Sequence, residues 1–123
     1  MPNPAFQKLH LSGSTDGRNI LIRQTATPGT TIHTATSSSN TDSYDEVWVW
    51  ASSAATSSTN ATIQTSETDD QASINFRVPA AYNGPILVIP GWVYRNGVVL
   101  TATAAVTSHG VILSGFVNRI SGN

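Results

Sequence analysis

The chain has no cysteine among its 123 residues, so it can form neither a disulfide framework nor a thiolate metal site. Charged residues are also scarce, at 11% of the chain, which is less than half the usual share. The six basic residues are scattered and the formal net charge is -1. Attraction to nucleic acid or to an anionic membrane surface needs clustered Lys and Arg, so we expect neither partner.

Long apolar runs are missing as well. No stretch approaches the roughly 20 apolar residues of a membrane helix. The opening MPNP has neither a basic start nor an apolar run, so we expect no signal peptide. No segment shows a sustained apolar stripe at helical spacing, and we expect no substantial helix.

Hydroxyl side chains take the place of the missing charges. The chain contains 15 Ser and 16 Thr, which predicts a neutral surface with little electrostatic protection against association. Such a surface suits a protein that is packed against other proteins.

Short segments with strand chemistry, separated by turn residues, fill the chain. β-Branched and aromatic content, alternation and flanking Gly, Pro, Asn or Asp predict the strands. They cover residues 8–11, 19–25, 30–36, 46–51, 61–67, 73–78, 86–89, 92–95, 98–106 and 111–120. Short strands at this spacing indicate a sandwich, a jelly roll or a small barrel. We predict an all-β, antiparallel, jelly-roll-like sandwich over residues 8–123.

Three local features refine this prediction. Residues 1–7 carry two prolines and no periodicity, and we expect an extended N-terminal arm. We expect residues 46–51 (EVWVWA) to form a strand that is central or lies under an interface, because both of its faces are apolar. Asn96-Gly97 is the strongest hairpin signal in the chain.

Residues with catalytic or metal-binding chemistry are present but not in recognisable patterns. The histidines, His10, His33 and His109, lack a compact metal spacing, and we expect His33 to face solvent or an interface. The acidic groups 42/45/46 and 67/69/70 lack the spacing of a calcium loop, and we expect solvated turn residues. No nucleophile elbow, paired-carboxylate setting or phosphate-binding glycine loop occurs. We therefore expect no catalytic residues, no metal and no cofactor, and a protein that is not an enzyme.

The aromatic residues are the main candidates for a functional surface. Trp and Tyr are enriched both in cores and at protein interfaces. We take Phe6, Trp48, Trp50, Trp92 and Tyr94 as candidate interface residues, with Trp92 and Tyr94 on one side of their strand. The alternative is that the Trp and Tyr rings form a sugar-stacking platform.

Four segments carry a resemblance to a known class of proteins. They are TIHTA at 31–35, DEVWVWA at 45–51, VIPG at 88–91 and GFVNRI at 115–120. Over roughly residues 19–120 the chain resembles small virion proteins of tailed bacteriophages, especially those of cyanobacterial hosts. The resemblance implies a β-sandwich made in the host cytoplasm that decorates or cements the capsid surface, commonly as a homotrimer bound to the major capsid protein. It brings no catalytic residues.

Two other functions stay open at this point. Some proteins of this kind sit at the neck, collar or tail of the virion. A carbohydrate-binding β-sandwich module would use the same aromatics.

Overall fold

A computed structural model describes residues 5–36, 43–67, 69–105 and 110–121. These residues form nine strands and two single-turn 3-10 helices. The strands are β1 (Ala5–His10), β2 (Ile20–Ile22), β3 (Thr30–Thr34), β4 (Ser43–Ser53), β5 (Thr59–Thr65), β6 (Ser73–Val78), β7 (Ile86–Tyr94), β8 (Val99–Ala104) and β9 (Val111–Ser121). The 3-10 turns are Asp70–Ala72 and Ala81–Asn83.

The strands form two antiparallel sheets packed against each other, which confirms the predicted all-β sandwich. Sheet A contains β1, β9, β4 and β7 in that order, with β2 on the same edge of β9 as β1. Sheet B has the order β3, β8, β5, β6. The pairing is nested, because β2 pairs with β9, β3 with β8, β4 with β7 and β5 with β6. This is jelly-roll connectivity.

The core lies between the sheets and follows the period-2 alternation of the strands. β4 shows this most clearly, because its residues alternate between buried and half-buried along its whole length. Val47 and Val49 are fully buried while Trp48 and Trp50 lie on the opposite face. β4 is a central strand of sheet A, between β9 and β7, as its composition predicted.

Most observed strands differ from the predicted ones by a few residues at one or both ends, and two differences change the interpretation of a segment. β1 begins at Ala5, so residues 5–7 of the expected arm pair with β9 instead of extending away from the sheet. The predicted break at Pro90-Gly91 lies inside one strand, β7. Pro is tolerated there because β7 is an edge strand with register irregularities.

The turn at Asn96-Gly97 forms, but it does not close a hairpin. Both residues have positive φ, 59° and 71°, and the Val98 N–H donates to the Arg95 carbonyl at 3.3 Å. The turn conformation is therefore that of a tight primed turn. However, β7 belongs to sheet A and β8 to sheet B, so the turn connects the two sheets and the hairpin prediction is wrong.

Candidate functional site

The outer face of sheet A is the most distinctive surface of the described residues. Register and burial place alternate residues of each strand on this face. They are Phe6, Lys8 and His10 of β1, Leu21 of β2, Tyr44, Glu46, Trp48, Trp50 and Ser52 of β4, Leu87, Pro90 and Val93 of β7, and Ile112, Ser114, Phe116, Asn118 and Ile120 of β9. Most of these side chains are apolar or aromatic, although the face has no covering layer from the described part of the chain.

Several apolar side chains on this face are open to solvent. Phe6 is 74% exposed, Val93 54%, Leu87 42% and Leu21 39%. Among the described residues, one other large hydrophobic side chain, Trp92, is comparably exposed. Single exposed apolar residues are ordinary, but a contiguous apolar face marks an interaction surface.

The outer face of sheet B has the opposite character. Its outward positions include Thr31, Asn60, Thr62, Asn75, Arg77, Thr101 and Thr103. The Thr62 hydroxyl donates to the Asn75 side-chain oxygen at 2.8 Å. A polar outer face is what a solvated sheet shows, so the apolar character belongs to sheet A alone.

An aromatic cluster, Trp48, Trp50 and Phe116, occupies the middle of the sheet A face. The three ring centroids lie 6.1–6.3 Å apart with interplanar angles of 12–26°, within the range of aromatic pairs. The Lys8 ammonium lies 4.5 Å from the Phe116 centroid, a cation–π distance. A side chain at Gly91 would overlap the Trp48 ring, so the indole lies directly on the β7 backbone.

Within the described residues, one carboxylate, that of Glu46, borders this cluster. Glu46 accepts hydrogen bonds from the Trp48 indole N–H at 2.7 Å and from the Asn118 amide at 3.1 Å. These two bonds, the one from Trp48 first, lower the pKa of Glu46. Glu46 is therefore an anion at neutral pH and is oriented by its two neighbours.

The five candidate interface residues lie on two different faces. Phe6, Trp48 and Trp50 are on the outer face of sheet A. Trp92 and Tyr94 share the other face of β7, because they pair with Val47 and Asp45, which are fully buried. Trp92 is 46% exposed, whereas Tyr94 packs on the core and burial raises its pKa.

Sequence reasoning did not single out Phe116 as part of a site. Its alternation with Leu113 and Val117, which are buried, could have indicated that Phe116 lies on the outer face of β9. Its pairing with Trp48 across β9 and β4 required knowledge of the sheet order.

A buried polar network lies inside the sandwich and was missed from the sequence. Asp45 of β4 and His33 of β3 are 0% and 1% exposed, and the Asp45 carboxylate is 2.7 Å from His33 Nε2. Arg119 of β9 donates to both Asp45 oxygens, at 2.7 and 3.0 Å. The Thr36 backbone N–H adds a bond at 3.1 Å. The network links sheet B to sheet A.

The prediction that His33 faces solvent or an interface is therefore wrong, and so is the prediction that Asp45 is a solvated turn residue. A register shift in β3 between Thr31 and His33 turns both Ile32 and His33 inward. Such a bulge breaks the strict alternation on which the prediction rested.

The protonation of the network follows from its hydrogen bonds. The Ser12 backbone N–H donates to His33 Nδ1 at 3.1 Å, so Nδ1 is an acceptor and Nε2–H donates to Asp45. Burial lowers the pKa of His33, and this outweighs the hydrogen bond to Asp45, which raises it. Burial by itself would raise the pKa of Asp45, but the bonds from Arg119 and His33 hold it below its usual range. A neutral imidazole thus faces a charged carboxylate.

The arrangement differs from a hydrolytic triad. In a triad the second ring nitrogen of the histidine accepts a proton from a nucleophilic hydroxyl. Here that nitrogen is occupied by a backbone N–H, and the Ser12 hydroxyl accepts from the Thr34 N–H at 2.8 Å. The network is a structural link between the sheets.

Three of the acidic residues considered as metal ligands, Asp45, Glu46 and Asp69, make hydrogen bonds within the protein. Asp69 caps the first 3-10 turn by accepting from Ala72 N–H at 3.1 Å, and Asp42 and His109 lie outside the described residues. Within those residues, no three His, Asp or Glu side chains are grouped as a metal site requires. The described segments also contain no helix with the length and hydrophobicity of a membrane span.

Comparison of the chain with protein-family models, with curated proteins and with solved structures gives no match.

Proposed function

We propose that this chain is a structural protein of a tailed-bacteriophage virion, a decoration or cement protein of the capsid surface that assembles with itself and with the major capsid protein. The observation that carries the proposal is the apolar, aromatic outer face of sheet A, opposite a polar outer face of sheet B. A contiguous apolar face of this kind marks an interaction surface, and its aromatic residues are typical of contacts with another protein. The resemblance of four segments to small phage virion proteins indicates that the assembly is a phage particle.

Other features support an assembly role without enzymatic activity. The side chains with catalytic potential, His33 and Asp45, are held in a buried structural network. The surface has little charge, so adhesion would come from apolar burial and backbone hydrogen bonding. A jelly roll is also a common architecture of capsid proteins.

The proposal is tested by counting copies of the chain in purified particles of the phage that encodes it, with quantitative mass spectrometry. Hundreds of copies per particle are expected for a shell protein. A dozen or fewer would assign the chain to the neck, collar or tail instead, and absence from particles would contradict a virion role.

The role of the sheet A face is tested with two exposed residues of β7. Particles lacking the chain are mixed with the parent protein or with the double variant Leu87→Ser/Val93→Ser, and bound copies are counted. The variant should bind more weakly, because both side chains lie on the face through which we propose that the chain assembles, with the capsid or with a second copy of itself. Trp92→Ser removes an equally exposed side chain from the other face of β7 and should bind like the parent.

One observation favours a second candidate, a carbohydrate-binding module. Aromatic rings beside a carboxylate and an amide, as in the cluster with Glu46 and Asn118, can bind a sugar ring by stacking and hydrogen bonding. The rings here are half-buried and pack on one another, which suits protein contact better. Retardation of the protein in gels containing soluble polysaccharide, abolished by Trp50→Ala, would favour the sugar-binding function.

A further inference from the structure

We propose that two copies of this chain pair through the outer faces of sheet A, face to face, about a two-fold axis that runs parallel to β9. The inference rests on the proposed function in that it names the partner of the assembly face. Paired faces of sheets pack about 10 Å apart, as the two sheets of a sandwich do.

The charged residues of the face indicate this arrangement. Lys8, Asn118 and Glu46 form one row across the sheet, because Asn118 pairs with Lys8 on one side and with Glu46 on the other. Among the described strand residues of this face, Lys8 and Glu46 are the only Lys, Arg, Asp or Glu, and they lie one strand to either side of β9. A two-fold axis along β9 exchanges the two sides of the sheet. It therefore places Lys8 of each copy opposite Glu46 of the other.

The neighbouring rows also match under the same axis. Phe6, Ile120 and Tyr44 form the row on one side of the charged row, and His10, Phe116 and Trp48 form the row on the other. Phe6 then faces Tyr44 of the second copy, His10 faces Trp48, and Phe116 faces its own equivalent. Aromatic side chains meet near the axis, as in the centre of stable interfaces.

Axes perpendicular to the strands give poorer matches. An axis through the row of Lys8 and Glu46 places each of these charged side chains opposite the same residue of the second copy, so that like charges face each other. An axis through the row of Phe116 and Trp48 sets the Glu46 carboxylate against the Trp50 ring of the second copy, an unpaired charge on an apolar surface. The distribution of charge therefore selects the axis along β9.

Pairing of this kind also suits a cement protein. A two-fold dimer presents two equal copies of every remaining surface, so one dimer could hold two neighbouring capsid subunits.

The first experiment is a charge-exchange cycle followed by sedimentation equilibrium of the full chain. The parent should be a dimer at micromolar concentration. Lys8→Glu sets like charges opposite each other, and each single variant, Lys8→Glu or Glu46→Lys, should weaken the dimer about tenfold or more. The double variant Lys8→Glu/Glu46→Lys should recover most of the loss. Recovery shows that both substitutions are compatible with the fold. The control Arg77→Glu, on the outer face of sheet B, should leave the dimer unchanged.

A second experiment uses the absence of cysteine. Ser114 lies on β9 at the proposed axis, so Ser114→Cys in two copies should be joined efficiently by a short bis-maleimide. Thr62→Cys, on the outer face of sheet B, should not be joined.

The outcomes separate the pairing from the proposed function. A monomer, a closed trimer, or a dimer that links through residue 62 but not through residue 114 would overturn the pairing. If such a protein still occupies particles in hundreds of copies, the proposed function stands without the pairing. If the chain dimerises and the charge-exchange variants behave as expected, but the chain is absent from particles, the pairing is supported and the virion role is contradicted.

Discussion

Asp45 illustrates how much a single residue depends on its neighbours in space. In the sequence it follows a polar, Ser-rich segment, yet in the fold it is fully buried and bonded to His33 and Arg119. A buried carboxylate is tolerated because charged or polar donors surround it. Removal of one member leaves the others unpaired in the interior.

We expect Asp45→Ala to lower the free energy of unfolding by about 3–5 kcal/mol, the usual cost of breaking a buried ion pair. The variant leaves His33 and Arg119 without their shared acceptor. Urea unfolding at pH 7 measures the loss. Glu67→Gln changes an exposed carboxylate and should alter stability little; equal stability of the Asp45 variant and the parent would contradict the structural role of the network.

The network also predicts that acid destabilises the protein. Burial lowers the pKa of His33 in the folded protein below its ordinary 6.5. At a pH between this lowered pKa and 6.5, the unfolded chain therefore binds more protons than the folded one. The free energy of unfolding should therefore be fully retained above about pH 6.5 and fall as the pH drops below it. Asp45, whose pKa is held below 3.8, adds a second loss at still lower pH.

Urea unfolding between pH 8 and pH 5 measures this dependence. His33→Gln keeps a donor for Asp45 but does not titrate, so the variant should show a flatter pH dependence between pH 7 and pH 5. The same slope in the variant and the parent would assign the acid sensitivity to other groups.

At the scale of strands and turns, two positions require a particular residue type because of the backbone around them. At the centre of sheet A, β9 passes so close to β4 that a side chain at Gly115 would overlap the Trp48 carbonyl oxygen. At the β7–β8 turn, Asn96 and Gly97 hold a backbone conformation that most residues avoid.

Gly115→Ala should cost about 1–3 kcal/mol, because the added methyl group forces the two strands apart. Ser114→Ala, one residue earlier and on the outer face, is the matched control and should be close to neutral. Thermal unfolding of the two variants makes the comparison, and an unchanged melting temperature for Gly115→Ala would mean that the strands adjust freely.

Gly97→Val should cost about 1 kcal/mol or more, since a β-branched residue is strained at φ 71°. The space around Gly97 is open, so the cost is one of backbone conformation alone. Asn96→Gly should be tolerated at the neighbouring position. A valine variant as stable as the parent would show that this turn relaxes to another conformation.

At the scale of the whole molecule, the outer faces of the two sheets differ in polarity. Sheet B faces solvent with Thr, Asn and Arg, and sheet A presents the aromatic cluster and its apolar surroundings. Contacts made through such a face depend on apolar burial more than on charge.

We therefore expect attachment to particles to persist in excess chelator and at high salt. Screening weakens exposed ion pairs, whereas apolar burial is unaffected or strengthened. Release of the chain from particles is followed by sedimentation and gel analysis. Release by chelator alone would indicate a metal ion at the interface, and release by salt alone would assign attachment to the scattered basic residues.

The sequence by itself determined the strand chemistry, most strand positions and the central place of β4. These features depend on local preferences and on the period-2 pattern of side chains. The turn conformation at Asn96-Gly97 was predictable for the same reason, because Asn and Gly tolerate positive φ wherever they occur.

Only the tertiary structure decided which strands pair, which sheet each strand joins and which polar residues are buried. Alternation shows that Trp48 and Trp50 share a face, but not that Phe116, sixty-odd residues later, completes it. The bulge that turns His33 inward arises from pairing with β8, and Asp45 is buried because β3 and β9 bring His33 and Arg119 to it. The physical reason is that burial depends on partners distant in the chain, and a local pattern carries no information about them.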